Sequence, residues 1–469
     1  MDPAFQRFTD SVRDHLRSIY GATPWVVCSE VLQGAVWMAS DLGTAWDADV
    51  FALGVVTGVG PIDESVPHAV IGPTGATSML ESIRAADAAL HDPPAEVLSA
   101  IDAWDPDGVA RSIVDFTMSG GTVGGRRSYG ARLQPWIDLE DKLVAREIWA
   151  DAGISTAPDA VVSLSDLDAC RRAHHELASD LGTVWAGDNR DGWHGGVDGT
   201  RWVHDGDAVE DAIEAMRHRH DVVRIMPFVE GVPCSVHGMV LDDATIAFRP
   251  MELCIYRQPD EHRIVYGKAA SFWDPPESDR AEMRAAAKSV GEALRSRADF
   301  RGVFTLDGVL GAGGFVPTEV NPRFGGALPG LTATPDGGTI NLLHINHAVV
   351  ENDYPGLDAG ALEEWVLADL DARRRGIGML ETAAAPEHER QMRVGRGDRG
   401  ELVEVSEGEV ALAEVMWGSK EPHGLLRMVA TDAIEVGPMV APLYLEIARL
   451  ADEKWGIGLP ELVPATPVR

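Results

Sequence analysis

Two textures of apolar and polar positions alternate along the first 137 residues of this chain. Trp25-Val26-Val27-Cys28 and residues 50–56 are short, continuous apolar runs with glycine-rich exits, the pattern of buried strands. Met79, Leu80, Ile83 and Ala86 recur at helical spacing with charges between them, and residues 112–118 read as a further strand. The alternation predicts an α/β class, an open layer built on a largely parallel sheet. Gly58-Val59-Gly60 lacks the third spaced glycine of a dinucleotide fingerprint. The glycine-rich stretch 120–125, followed by Arg126 and Arg127, reads as a linker first and as an anion cradle second.

From residue 138 the texture changes. Residues 138–149 predict a helix with acids in its first turn, stopped by Gly153 with Pro158 beyond. Further helices are expected over 165–180 and 207–219, with a glycine-rich turn at 187–196 between two short strands. An apolar strand over 222–229 follows, then strands near 234–241 and 244–254. A long helix over 279–297 carries Asp279 and Glu282 as a candidate capping box. Residues 302–310, a turn at 311–314 and residues 315–321 form a hairpin, and the tail from 351 starts helical and ends mixed. There is no internal repeat.

Composition narrows the classes. The 469 residues suffice for two or three domains, and 45% hydrophobic with 24% charged residues is globular rather than disordered. Forty Lys+Arg against 74 Asp+Glu give a formal charge of −34, against the basic footprint of a duplex nucleic-acid binder. No apolar run reaches the ~18 residues of a membrane span, and the N-terminus lacks a signal-peptide pattern. Cys28, Cys170, Cys234 and Cys254 are far apart in sequence, which suits buried, reduced thiols in a cytoplasmic protein.

The hairpin carries the candidate chemistry. A three-residue loop over 312–314 would set Asp307 directly opposite Glu319, with Cβ atoms ~5 Å apart. Facing carboxylates are unfavourable unless a cation lies between them or one is protonated. Asn321 shares the face of Glu319, and two carboxylates with an amide oxygen suit Mg²⁺ completed by water and phosphate. If the strand continues, Arg323 lies on the same face, where it suits a transferring phosphoryl group or a substrate carboxylate.

Over roughly residues 138–330 the sequence resembles the ATP-grasp superfamily. Thr318-Glu319-Val320-Asn321-Pro322-Arg323-Phe324-Gly325-Gly326 is similar to that family's E-x-N-x-R motif, and Asp307 falls where its other metal-binding acid belongs. The resemblance implies Asp307, Glu319 and Asn321 as metal ligands, Arg323 and Lys142 as catalytic cations, and Lys142 of Glu140-Asp141-Lys142 as an ATP contact. Met226-Pro227-Phe228-Val229-Glu230-Gly231 resembles the hinge that cups adenine, implying Met226, Phe228, Val229 and Glu230 as nucleotide contacts. The loop 192–196, with Gly195 and Gly196, would close over phosphates. A lysine usual on the lid strand is missing from Val184-Trp185-Ala186; Arg190, His194, Arg201 and Lys268 are candidates to replace it. Arg126-Arg127-Ser128-Tyr129-Gly130-Ala131-Arg132 with Trp136 resembles, as does Met226 to Gly238, the ATP-grasp peptide ligases of bacterial natural-product pathways, of the pheganomycin type. That likeness implies an open-sheet pre-ATP-grasp domain over 1–137, an ATP-grasp domain of two α+β subdomains over 138–350 (lid about 158–225), and a small C-terminal domain over 351–469.

The implied function is Mg-ATP-dependent joining of a carboxylic acid to an amine through an acyl phosphate, with ATP and Mg²⁺ (or Mn²⁺) as cofactors. Its partners are small-molecule or peptide substrates, without nucleic acid or membrane; a homodimer stays open. Two other readings stand beside it: an ATP-binding regulatory or scaffold protein without turnover, and carboxylation through carboxyphosphate. Among remaining candidates, His344 and His347 read as packing, His218 and His220 as solvated, and His237 as a possible lining residue. Trp104, Trp185 and Trp273 read as core. Glu252 and Arg257 are placed toward an acceptor pocket.

Overall fold

The computed structural model describes residues 3–58, 62–76, 79–192, 197, 199–325, 341–420 and 423–468. Strands His68–Val70, Val50–Val56, Trp25–Val31 and Arg111–Val114 lie side by side in that order, and every neighbour is parallel. Because the strand side chains alternate faces, Val26 and Cys28 pack with Leu53, Ala86 and Ile101, while Trp25 and Val27 pack with Ala39 and Trp46. Both faces are thus covered, as a parallel layer requires.

The glycine-rich stretch 120–125 is neither linker nor cradle. Thr122–Val123 and Arg126–Arg127 pair as a small hairpin whose turn holds Gly124 and Gly125 at φ 53° and 80°. Arg126 is buried against Asp102 (2.7 Å) and Asp105 (3.0 Å), so its charge is already matched inside the protein.

A second, antiparallel sheet runs Ala160–Ser163, Val222–Pro227, Thr183–Gly187, Thr200–Val203. Trp185, Val223 and Ile225 point into a core shared with helices Leu167–Leu177 and Val209–Met216. Val184, Ala186, Arg224 and Met226 therefore face the opposite way. His220, expected in solvent, is 2% exposed because its ring closes on the Asp188 carbonyl at 2.7 Å.

Among the described residues the largest sheet has twelve strands. Gly314–Asn321, Gly302–Gly311, Val232–Val240, Met251–Gln258 and Arg263–Ala270 follow one another, and Gly376–Thr382 then carries the sheet into the C-terminal strands. Helix Glu277–Ala298 covers the central strands through Met283, Ala287, Val290 and Leu294. It begins at Glu277 behind Pro276, with no side-chain cap, so Asp279 and Glu282 do not form the expected capping box.

Two other elements differ from expectation. The helix expected over 138–149 is broken: a 3₁₀ turn spans Asp138–Glu140, and the α-helix runs Ala145–Ala152 to Gly153 at φ 65°. The Asp141 carboxylate accepts from Leu143 N–H at 2.8 Å, a local bond that competes with helix and leaves Lys142 in the turn. Glu252 lies in no acceptor pocket. Its two oxygens accept from the N–H groups of Val440 (2.6 Å) and Ala441 (2.9 Å), at the start of helix Ala441–Trp455. Arg257 stacks on Trp202 and Phe228 at 5.6 and 5.7 Å from their ring centroids. All four cysteines are free and buried, and among the described residues no helix is long and apolar enough to cross a membrane.

Burial pushes the Glu252 carboxyl up to about 7, against the pull of its two N–H donors. The folded chain then holds this proton more tightly than the unfolded chain, so stability falls as pH rises from about 4.5 toward about 7. Urea unfolding of wild type and Glu252→Gln in parallel isolates this contribution: the stability of wild type relative to the variant should fall across that window, while the share of other shifted groups such as Asp307 cancels. Glu252→Ala should lower unfolding free energy by about 2–4 kcal/mol through two orphaned helix N–H groups.

Candidate functional site

The opposition of Asp307 and Glu319 is present, but it arises differently from the expected loop. Gly311 pairs with Gly314, so the turn holds two residues, Ala312 and Gly313. That register alone would set Asp307 against Thr318. One extra residue is taken up in the second strand, where Gly308 pairs with Pro317 but Asp307 pairs with Glu319. Pro317 has no N–H to give the ladder, which favours a bulge here, and bulges re-aim side chains. The Thr318 hydroxyl donates to the Asp307 carbonyl at 3.2 Å and ties the bulge down.

Two rows of side chains cross three strands on this face: Ser235, Asp307, Glu319 and, beside it, His237, Thr305, Asn321. Asp307 Oδ1 is shielded from solvent and has no hydrogen-bond partner, while Oδ2 accepts from Asn321 Nδ2 at 3.1 Å. Burial, and then the charge of Glu319, push the Asp307 carboxyl up to about 7. Lys142, 5% exposed, donates from Nζ to Glu319 Oε1 at 3.3 Å. The turn before helix Ala145–Ala152 thus delivers its cation to the hairpin. Among the described residues no three His, Cys, Asp or Glu converge as a metal cluster. Two acids and an amide, one acid oxygen orphaned, fit a hard divalent ion that takes its other ligands from water or phosphate.

Arg323 arrives by a turn rather than by a continuing strand. The ladder stops at Asn321, and Arg323 N–H bonds back to the Asn321 carbonyl at 2.7 Å. Thr305 Oγ1 donates to the Arg323 carbonyl (2.9 Å) and Gly325 N–H to His237 Nε2 (3.0 Å), which pins the segment onto the sheet. His237 is fully buried, and burial, then the neighbouring Arg323 charge, push it down to about 3, so it accepts as a neutral ring. Arg323 Nε reaches Glu140 Oε1 at 3.0 Å and Nη2 reaches Asn321 Oδ1 at 3.1 Å. Arg132 pairs with the same Glu140 oxygen. Glu140, 3% exposed, is a hub that sequence reasoning passed over in favour of its neighbour Lys142.

The segment 226–230 links the second sheet to the largest one. Met226 is buried against Val184, while Phe228 donates its N–H to Gly182 O (2.9 Å) and accepts at its carbonyl from Ser179 Oγ (2.8 Å). The Phe228 ring meets Trp202, Val229 is half-buried, and Glu230 is exposed. Lys268 sits at φ 76° with its Nζ 6.0 Å from the Tyr266 ring, and its charge bears on Asp115 at the end of the parallel sheet. Arg190 is bound to Asp221 at 2.7 Å, and Arg201 donates to the Thr200 carbonyl at 3.3 Å. Gly195, Gly196 and His194 lie outside the described residues. His344 and His347 are buried, His344 accepting from Trp46 Nε1 (3.1 Å), in keeping with packing.

One further cation was not anticipated. Arg224, the only charge in the run 222–229, is 2% exposed. Its Nη2 donates across the gap between the sheets to the Thr318 carbonyl at 2.7 Å, and its guanidinium lies 4.7 Å from the Trp149 ring. Nε and Nη1 have no hydrogen-bond partner. Burial pulls Arg224 down to about 10, with Asp159 and Glu319 opposing. The signal in the sequence was a lone charge inside a buried strand.

No protein-family model and no curated protein matches the chain. Solved structures do. Biotin carboxylase from Campylobacter jejuni is 11% identical, with a TM-score of 0.53 over 94% of this chain and 92% of that one. Carboxyaminoimidazole ribonucleotide synthase from Aspergillus clavatus, solved with ATP, is 12% identical, with a TM-score of 0.50 over 92% and 99%. The biotin carboxylase domain of Hydrogenobacter thermophilus 2-oxoglutarate carboxylase, solved with MgADP, ADP and bicarbonate, is 13% identical, with a TM-score of 0.50 over 94% and 91%. Identity this low speaks to architecture, and with the open parallel layer, the four-stranded second sheet and the long antiparallel sheet it leads to one statement: this chain has the ATP-grasp fold.

Proposed function

We propose that the protein is a Mg-ATP-dependent ligase that activates a carboxylate as an acyl phosphate and joins it to an amine, giving an amide or peptide bond. The observation that carries this reading is the opposed pair Asp307 and Glu319, one oxygen orphaned, with Lys142 and Arg323 at the same end of the hairpin. Structures of the same fold solved with ATP and with MgADP support it. The resemblance to natural-product peptide ligases, and the three-domain division at 137 and 350, belong to this proposal.

Asp307, Glu319 and Asn321 would hold Mg²⁺, which would supply positive charge to offset that of the phosphates. Lys142 then exchanges its bond to Glu319 for one to phosphate. Met226, Phe228, Val229 and Glu230 line the adenine side; the Phe228 N–H and carbonyl being engaged, base-edge contacts fall to its neighbours. The substrate carboxylate attacks the γ-phosphorus and ADP leaves; the amine then attacks the acyl carbon and phosphate leaves. Arg323 faces the transferring group. Glu140 holds its guanidinium in place beforehand, so little reorganisation is needed as charge develops.

Hydroxylamine trapping over a panel of amino acids, peptides and bicarbonate tests the reading. A ligase yields hydroxamate and ADP with its acid; ADP released with bicarbonate alone points to carboxyphosphate, and no ADP with any acid leaves a nucleotide binder. Calorimetry on the double variant Asp307→Ala, Glu319→Ala should show Mg²⁺-dependent nucleotide affinity lost, and unchanged affinity would overturn the metal site. Glu140→Ala should cost about 3–5 kcal/mol in chemical unfolding, because two buried guanidinium groups lose their carboxylate.

A further inference from the structure

A guanidinium removed from water is expected to have its donors satisfied, and Arg224 does not. One of its nitrogens, Nη2, bonds Thr318 O, the residue before Glu319, and has Met226 Sδ at 3.6 Å. Asp159 lies 3.8 Å from Nε and is already engaged by Arg146 at 3.1 Å. Nε and Nη1 are shielded and unbonded. Leaving donors of a charged group unmet is costly unless something else meets them.

The position limits what that is. Arg224 pairs with Ala186 in the second sheet, on the face turned away from the helices, and its hydrogen bond ends on the bulge that aims Glu319. The strand next to it brings only Val184 and Ala186 to that face, and Arg190 is drawn off to Asp221. Among the described residues, positive charge on the second sheet's side of the gap thus comes from Arg224, opposite the acids. A forked donor with two unbonded nitrogens, beside acids suited to a divalent ion, matches the oxygens of a metal-bound phosphate chain.

Resting on the function proposed above, we infer that Arg224 binds the phosphate chain of the nucleotide, in the role left open by Val184-Trp185-Ala186. It is a binding residue that spans both sheets: Nη2 stays on the Thr318 carbonyl while Nε and Nη1 turn to phosphate oxygens. The nucleotide thereby ties the second sheet to the hairpin.

Calorimetry with Mg-ATP and with adenosine on the full chain tests this. Arg224→Gln keeps a donor for Thr318 O but removes the charge. Its Mg-ATP affinity should fall about 10- to 100-fold while adenosine affinity stays within about twofold. Equal losses for both ligands assign Arg224 to the shape of the cleft and overturn the inference, as does unchanged ATP affinity. Should Arg224→Gln not fold, a wild-type crystal with a non-hydrolysable ATP analogue decides: a phosphate oxygen in hydrogen-bond reach of Nε or Nη1 supports the inference, and none in reach overturns it. Wild type that binds no nucleotide overturns the proposed function and this inference together; wild type that binds, with a variant that binds equally, overturns this inference alone.

Discussion

Two carboxylates held face to face across a hairpin are the constraint around which the site is built. The conflict between Asp307 and Glu319 is eased from three directions: burial and mutual repulsion raise the proton affinity of Asp307, Lys142 pairs with Glu319, and Asn321 donates to Asp307. Each takes the place of the cation that the proposed function would put between the two acids. A native strand pair with like charges opposed is expected where function needs it, because packing alone gains nothing from it.

The surrounding charges are graded by how firmly they are fixed. Arg323 is held by Glu140 and Asn321, with its backbone anchored by Thr305 and His237, so its direction is set before any ligand binds. Lys142, among the described residues, bonds Glu319, a contact that the proposed function has it exchange for phosphate. Arg224 is the least satisfied of the three and alone comes from the second sheet. Preorganised charge near the reacting group, with exchangeable charge farther along the chain of phosphates, is what a phosphoryl-transfer site requires.

The C-terminal residues continue the sheet that carries this arrangement. Gly376–Thr382 pairs with Arg263–Ala270, so the sheet that bears the hairpin runs on into the C-terminal strands. Glu252, on the same sheet, fixes the start of helix Ala441–Trp455 through two backbone N–H groups. A carboxylate at a helix N-terminus is favourable, but only burial by the rest of the fold gives it the raised proton affinity seen here.

Residue order by itself determined the features that depend on near neighbours. The parallel layer, the hairpin, the Gly153 helix end and the identity of the acid–amide–arginine set come from periodicity, glycine placement and spacing along a few residues. The tertiary structure decided what depends on distant partners. The bulge at Thr318 restores the opposition of Asp307 and Glu319 that a two-residue turn would have lost. Glu140 gathers Arg132 and Arg323, residues 132 and 323 being far apart in the chain. His220 is buried by a loop carbonyl, Glu252 caps a helix almost two hundred residues later, and Arg224 meets Thr318 across the gap between sheets. Periodicity reports which face of an element a side chain occupies; what lies against that face is set by packing, and the energy of a buried charge is decided there.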